Sequence, residues 1–203
     1  MRIHFIHGIR TIPTSPVDGI LPYLKTIAET RFPDYGYELA LDVRRINPMI
    51  VGALLPYIEP GDAIVGHSNG CAIACDLVQR GAPADQLVFI NGAVNNDIGF
   101  PASVKRVDVY WNTGDTITEA ARVGALLGLV DPSWGEMGHT GYRGNDPRVT
   151  NFDCGAAPDM PVVSGHSDFF SPAKLRHWGP FLAGRLTPET DIALRARSAE
   201  RAG

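Results

Sequence analysis

Asp62-Ala63-Ile64-Val65-Gly66-His67-Ser68-Asn69-Gly70-Cys71-Ala72-Ile73-Ala74 is the stretch on which the fold turns. Ala63-Ile64-Val65 is a short unbroken apolar run, the pattern of a strand buried on both faces. The small residues after Asn69 suit a helix that lies close against that strand and runs to about residue 80. Between them stands Gly66-x-Ser68-x-Gly70. A serine on so sharp a strand-to-helix turn projects its hydroxyl above the sheet, and the flanking positions cannot carry bulk where strand and helix approach. In that setting Ser68 reads as a nucleophile rather than as an ordinary helix cap.

On either side the chain alternates strands with helices through short turns, which predicts βαβ units and a mostly parallel sheet. Residues 2–6 read as a strand ending in His7-Gly8. Ser15-Pro16-x-Asp18 opens a helix expected to reach about residue 31, with Ser15 as cap. Residues 35–44 have strand character and 48–58 helix character. Strands follow at 87–91 and at 106–112, where Val107, Val109 and Trp111 alternate with Asp108 and Tyr110 as in a strand nearer the sheet edge. Thr116-x-x-Glu119 has the form of a capping box and starts a helix to about 128. Residues 130–148 lack periodicity and read as a long loop bordering the substrate site. A last strand is expected at 149–154, and Ser171-Pro172 opens a final helix to about 184. The domain is expected to span 1–186, with 187–203 a polar, frayed tail.

A serine hydroxyl is a poor nucleophile at neutral pH, so a base must reach it and a third group must orient that base. Of the six histidines, His4 lies in a strand, His67 within the turn and pointing elsewhere, His139 in the long loop and His177 in the final helix. His7 reads as a structural loop residue beside a backbone donor. His166, in Ser164-Gly165-His166-Ser167-Asp168, follows the last strand and is the candidate base. Asp115 follows the 106–112 strand and gives the chain order Ser, Asp, His. Asp97 and Asp153 are less well placed rivals. Backbone N–H groups of Ile9 and Asn69 are the expected oxyanion donors.

Through Phe5-Ile6-His7-Gly8, the turn around Ser68, Asn112-Thr113-Gly114-Asp115 and Gly165-His166-Ser167, the sequence resembles the α/β-hydrolase superfamily, in the part that holds small lipase- and esterase-like proteins. The resemblance implies an α/β fold, a mostly parallel central sheet flanked by helices, and this sequence departs from the larger members in having no separate cap domain. It also implies an acyl-enzyme at Ser68 and hydrolysis of an ester or related acyl bond. Without a cap the site is expected to be open and shallow, which would suit either a small soluble ester or an acyl group on a larger molecule. Because the sequence starts directly at the His-Gly strand, the first two antiparallel strands common in larger members are expected to be missing.

Composition narrows the alternatives. The net charge of −4 offers no basic field for nucleic acid, and 44% apolar with 20% charged residues is ordinary globular usage. Gly (22) and Pro (16) imply many short elements joined by turns. Cys71, Cys75 and Cys154 read as free buried thiols. No G-x-G-x-x-G, P-loop or H-E-x-x-H pattern appears, so neither cofactor nor metal is expected. No apolar run has the length of a membrane span and no export signal is visible, which leads us to expect a cytoplasmic protein. Oligomeric state is left open. Three other readings stay in view: an acyltransferase or thioesterase with the same triad, a catalytically silent binding module on the same fold, and an interaction protein acting through the long loop or the apolar 123–130 segment.

Overall fold

In a computed structural model of the chain, residues 1–9, 16–33, 43–126 and 134–187 are described. The calls of a cap at Ser15 and a tail beyond 187 fall outside them, as do most of the expected 35–44 strand and part of the long loop. Among the described residues, six strands form one sheet: β1 (Arg2–Ile6), β2 (Glu29–Arg31), β3 (Ala63–His67), β4 (Gln86–Ile90), β5 (Arg106–Trp111) and β6 (Val149–Asp153). Their order is β2-β1-β3-β4-β5-β6, and every adjacent pair is parallel. The helices are α1 (Leu21–Lys25), α2 (Val43–Leu54), α3 (Asn69–Gln79), α4 (Thr116–Leu126), α5 (Met137–Thr140) and α6 (Pro172–Leu186).

Period-two alternation explains how the sheet comes to be covered on both sides. Ile64, Leu87, Phe89, Val107 and Val109 enter one apolar layer with Val51 of α2, Ile73 and Leu77 of α3, and Met137 of α5. Val65, Val88, Ile90 and Tyr110 enter the other, with Leu24 of α1 and Leu175, Trp178 and Leu182 of α6. All strand residues of β3 are buried.

Several elements differ from the sequence expectation. The helix expected over 16–31 is a 3-10 turn (Pro16–Ile20) followed by α1, and Glu29–Arg31 is the edge strand β2. The Thr26 hydroxyl closes α1 by donating to the Tyr23 carbonyl at 2.6 Å. The Ile27 and Ala28 N–H groups still turn back to the Leu24 carbonyl, and the chain then extends over Glu29–Arg31, where it pairs with β1. Val43 and Arg44, expected at the end of a strand, open α2, and Pro48 lies inside that helix instead of starting it. The long loop contains α5.

Strand β5 lies next to the edge, yet Asp108 and Tyr110 are as buried as Val107 and Val109. Helix α6 covers them, and Arg185 reaches Asp108 with nitrogens at 2.8 and 3.0 Å. Ser171 precedes α6 as expected, but its hydroxyl caps nothing. Its carbonyl takes the N–H groups of Lys174 and Leu175. The three cysteines are buried and unpaired. No helix among the described residues is long and apolar enough to cross a membrane.

Candidate active site

The carboxyl ends of the parallel strands face one edge of the sheet, where such folds place their sites. His7-Gly8-Ile9 leaves β1, Ser68 follows β3, Asn91 follows β4, Asn112 to Asp115 follow β5 and the His166 loop follows β6. The rung just below Ser68 runs His67, Ile90, Tyr110, Phe152, so these exits are level across the sheet.

Ser68 itself has φ 57° and ψ −126°, a conformation a non-glycine residue holds only when its surroundings over-determine it. Its N–H donates to the Ile90 carbonyl at 3.2 Å, and its own carbonyl accepts Cys71 and Ala93 at 3.1 Å. The glycines show why the turn excludes bulk. A Cβ on Gly66 would stand 2.9 Å from the Cys71 backbone, and one on Gly70 would collide with the Ile6 carbonyl. A Cβ on Gly8 would stand 2.7 Å from Ser68 Cβ, so the segment carrying Ile9 runs directly against the turn.

The structure brings the three expected side chains together. Ser68 Oγ lies 2.8 Å from His166 Nε2, and His166 Nδ1 lies 2.9 Å from both oxygens of Asp115. A carboxylate only accepts, so Nδ1 carries the proton and Nε2 is left to accept from the serine. The rivals are elsewhere: Asp97 is exposed, and Asp153 accepts the Gly155 N–H at 2.9 Å. Asp115, fully buried, also accepts the Thr118 N–H at 3.1 Å. It is therefore the N-cap of α4, a place the capping-box reading gave to Thr116.

No protein-family model matches the sequence, and no curated protein matches it either. Solved structures do. Mouse alpha/beta hydrolase domain-containing protein 10 superposes with a TM-score of 0.57 at 11% identity, over 89% of this chain and 87% of its own. A lipase from Bacillus licheniformis in mature form gives 0.55 at 14% identity, over 92% and 91%. An extracellular alpha/beta-hydrolase from a Paenibacillus species gives 0.53 at 11% identity, over 92% and 97%.

This chain has the α/β-hydrolase fold. Within that fold the side chain of the residue after the serine is held by three hydrogen bonds. Asn69 and Asn47 of α2 exchange amide hydrogen bonds at 3.0 and 3.1 Å, and the Trp134 indole N–H donates to Asn69 Oδ1 at 2.8 Å. Asn69 is buried, so these partners stand in for water. The long loop thus packs beneath the turn through Trp134. It also meets Asp115, since a Cβ on Gly138 would stand 2.7 Å from Asp115 Oδ2.

His67 does not point away from the site. Its ring lies 5.0 Å from that of His166, and its Nε2 is 3.2 Å from the His166 carbonyl oxygen. Burial, then the neighbouring His166, push its pKa well below the usual histidine range, so it is neutral. Sequence reading gave no place in the site to Asn91 or Gly138, and it quoted Asn112 only within the segment leading to Asp115. The Asn91-Gly92 pair straight after a buried strand was the one available signal, marking a turn that admits positive φ. Among the described residues no cluster of side chains suits a metal ion.

Proposed function

We propose that this protein is a serine hydrolase that cleaves an ester or related acyl bond through an acyl-enzyme on Ser68. The observation that carries this reading is the continuous chain from Ser68 Oγ through His166 to the buried Asp115 carboxylate, with every link at 2.8 or 2.9 Å. That one similar structure is a lipase points the same way.

In the first half-reaction Ser68 Oγ attacks the acyl carbonyl as its proton passes to His166 Nε2. The carbonyl oxygen gains the negative charge and rests on the backbone N–H groups of Ile9 and Asn69, each worth about 3 kcal/mol at such a site. The tetrahedral species collapses, the bond to the leaving group breaks, and His166 returns the proton to it. In the second half, water gives a proton to His166 as its oxygen attacks the acyl carbonyl, the bond from the acyl carbon to Ser68 Oγ breaks, and His166 returns the proton to Oγ, which releases the acid and restores Ser68–OH. Asp115 holds the Nδ1 proton and balances the imidazolium in both halves.

The test is covalent labelling with a fluorophosphonate probe, read by intact mass and peptide mapping. The expected result is one adduct on Ser68, lost in Ser68→Ala and His166→Ala. A folded protein that stays unlabelled contradicts the proposal and favours a binding module on the same fold.

A further inference from the structure

His166 stands on a loop between β6 and α6 rather than on a regular element, so the height of its imidazole over Ser68 depends on what holds the loop backbone. Two side chains, 75 and 99 residues away in sequence, converge on its carbonyl oxygen. Asn91 Nδ2 donates to it at 2.6 Å, and His67 Nε2 lies 3.2 Å from it. A carbonyl oxygen only accepts, so His67 carries its proton on Nε2. Its Nδ1 is buried with no partner.

The Asn91 amide is oriented the same way from both ends. Its nitrogen also lies 3.3 Å from the Gly165 carbonyl, while its oxygen accepts Asn112 Nδ2 at 3.1 Å. Asn91 pays for this place with φ 47°, a left-handed conformation that asparagine tolerates better than most residues. Its backbone is tied down by an N–H bond to the Tyr110 carbonyl at 2.9 Å. His67 is wedged between the His166 ring and Phe170, whose ring meets its own edge-on at 4.7 Å.

We propose that Asn91 and His67 are positioning residues for His166, their side-chain N–H groups jointly fixing its carbonyl and thereby the reach of its imidazole to Ser68. The inference rests on the catalytic reading above. Asn91 acts through the loop carbonyl, and His67 acts through that carbonyl and through its packing against the His166 ring. A base displaced by a fraction of an ångström still binds substrate but takes the serine proton less well.

Asn91→Gly removes the donor while glycine accepts the positive φ, and Asn91→Asp keeps the shape but turns an acceptor toward two carbonyls. His67→Phe keeps a ring and loses the donor, and His67→Gln restores a nitrogen near the place of Nε2. The readouts are the fluorophosphonate labelling rate per folded protein, kcat and KM on a chromogenic ester, and the downfield proton resonance of His166 Nδ1–H. The expected result is a loss of about 10- to 100-fold in labelling rate and kcat for Asn91→Gly, Asn91→Asp and His67→Phe, with KM nearly unchanged. The downfield resonance weakens in each, and His67→Gln recovers most of the rate lost in His67→Phe. Asn91 variants and His67→Phe that label at the wild-type rate with the resonance intact overturn the inference, as does a loss that only tracks the amount of folded protein. A wild-type protein that is not labelled at all fails the catalytic reading first and takes this inference with it.

Discussion

Asp115 meets His166 through both carboxylate oxygens, each 2.9 Å from Nδ1, from a position with no solvent exposure. The same carboxylate accepts the Thr118 N–H and so closes the first turn of α4. Orientation of the His166 ring and the start of a helix are thus joined in one side chain, and substitutions can separate them.

Asp115→Asn keeps a cap that asparagine fills as well as aspartate, so the melting curve should move by less than about 1 kcal/mol of stability. Its amide no longer fixes the His166 tautomer, and kcat should fall by about 10⁴-fold, the loss seen when a triad acid becomes an amide. Asp115→Ala loses the cap as well and should be less stable than Asp115→Asn. Thermal melts and ester kinetics on the two variants check both halves.

Gly138→Ala places a methyl 2.7 Å from Asp115 Oδ2 and 2.6 Å from the Asn91 backbone. Gly138 cannot recede, because its N–H bonds the Gly92 carbonyl and its carbonyl accepts the Asn112 N–H. The expected cost is about 1–3 kcal/mol with a lowered kcat. Gly52→Ala, in α2 with nothing within 4 Å of the added methyl, is the control and should stabilise by up to about 1 kcal/mol. Urea denaturation of both variants measures the contrast.

Trp134→Phe removes the indole donor to Asn69 Oδ1 and leaves the exchange with Asn47 in place. Loss of one buried hydrogen bond should cost about 1–2 kcal/mol. Because Asn69 also supplies a proposed oxyanion donor, kcat should drop several-fold, and KM should not.

Stability should decline on acidification in two steps. His4 and His67 are both held neutral, mainly by burial, whereas in the unfolded chain they titrate near the ordinary value of about 6.5. Below that pH the unfolded state binds more protons, so stability falls. Burial pushes the Asp62 carboxyl up, but donors from Glu59, His4 and Arg2 outweigh it and hold the pKa at about 2. Its contribution is present above about pH 4 and is lost as the pH falls toward 2. Urea midpoints at pH 7.5, 5.5 and 3 should decrease in that order. A midpoint that does not change between the first two contradicts the neutral burial of the histidines.

The strand, turn and helix around Ser68 were legible because the local pattern and the tertiary demand coincide: an apolar run, glycines at the points of contact, then small residues. The order Ser68, Asp115, His166 was legible because each follows a strand. What escaped depends on proximity that no local pattern encodes. Edge strand β2 is only Glu29–Arg31 and is specified by its pairing with β1 more than by propensity. The burial of Asp108 required the distant Arg185 to arrive on α6. From the sequence His67 reads as pointing elsewhere, and its contact with His166 arises only once a loop 99 residues away is folded over it.

The measurement that bears most directly on the central claim is a rapid acid quench of the protein during turnover of p-nitrophenyl acetate, followed by mass spectrometry of the peptide containing Ser68. An acetyl group on Ser68 that forms with the burst of nitrophenol and is absent in Ser68→Ala is the predicted result. Turnover with Ser68 unmodified, or undiminished turnover by Ser68→Ala, contradicts the account.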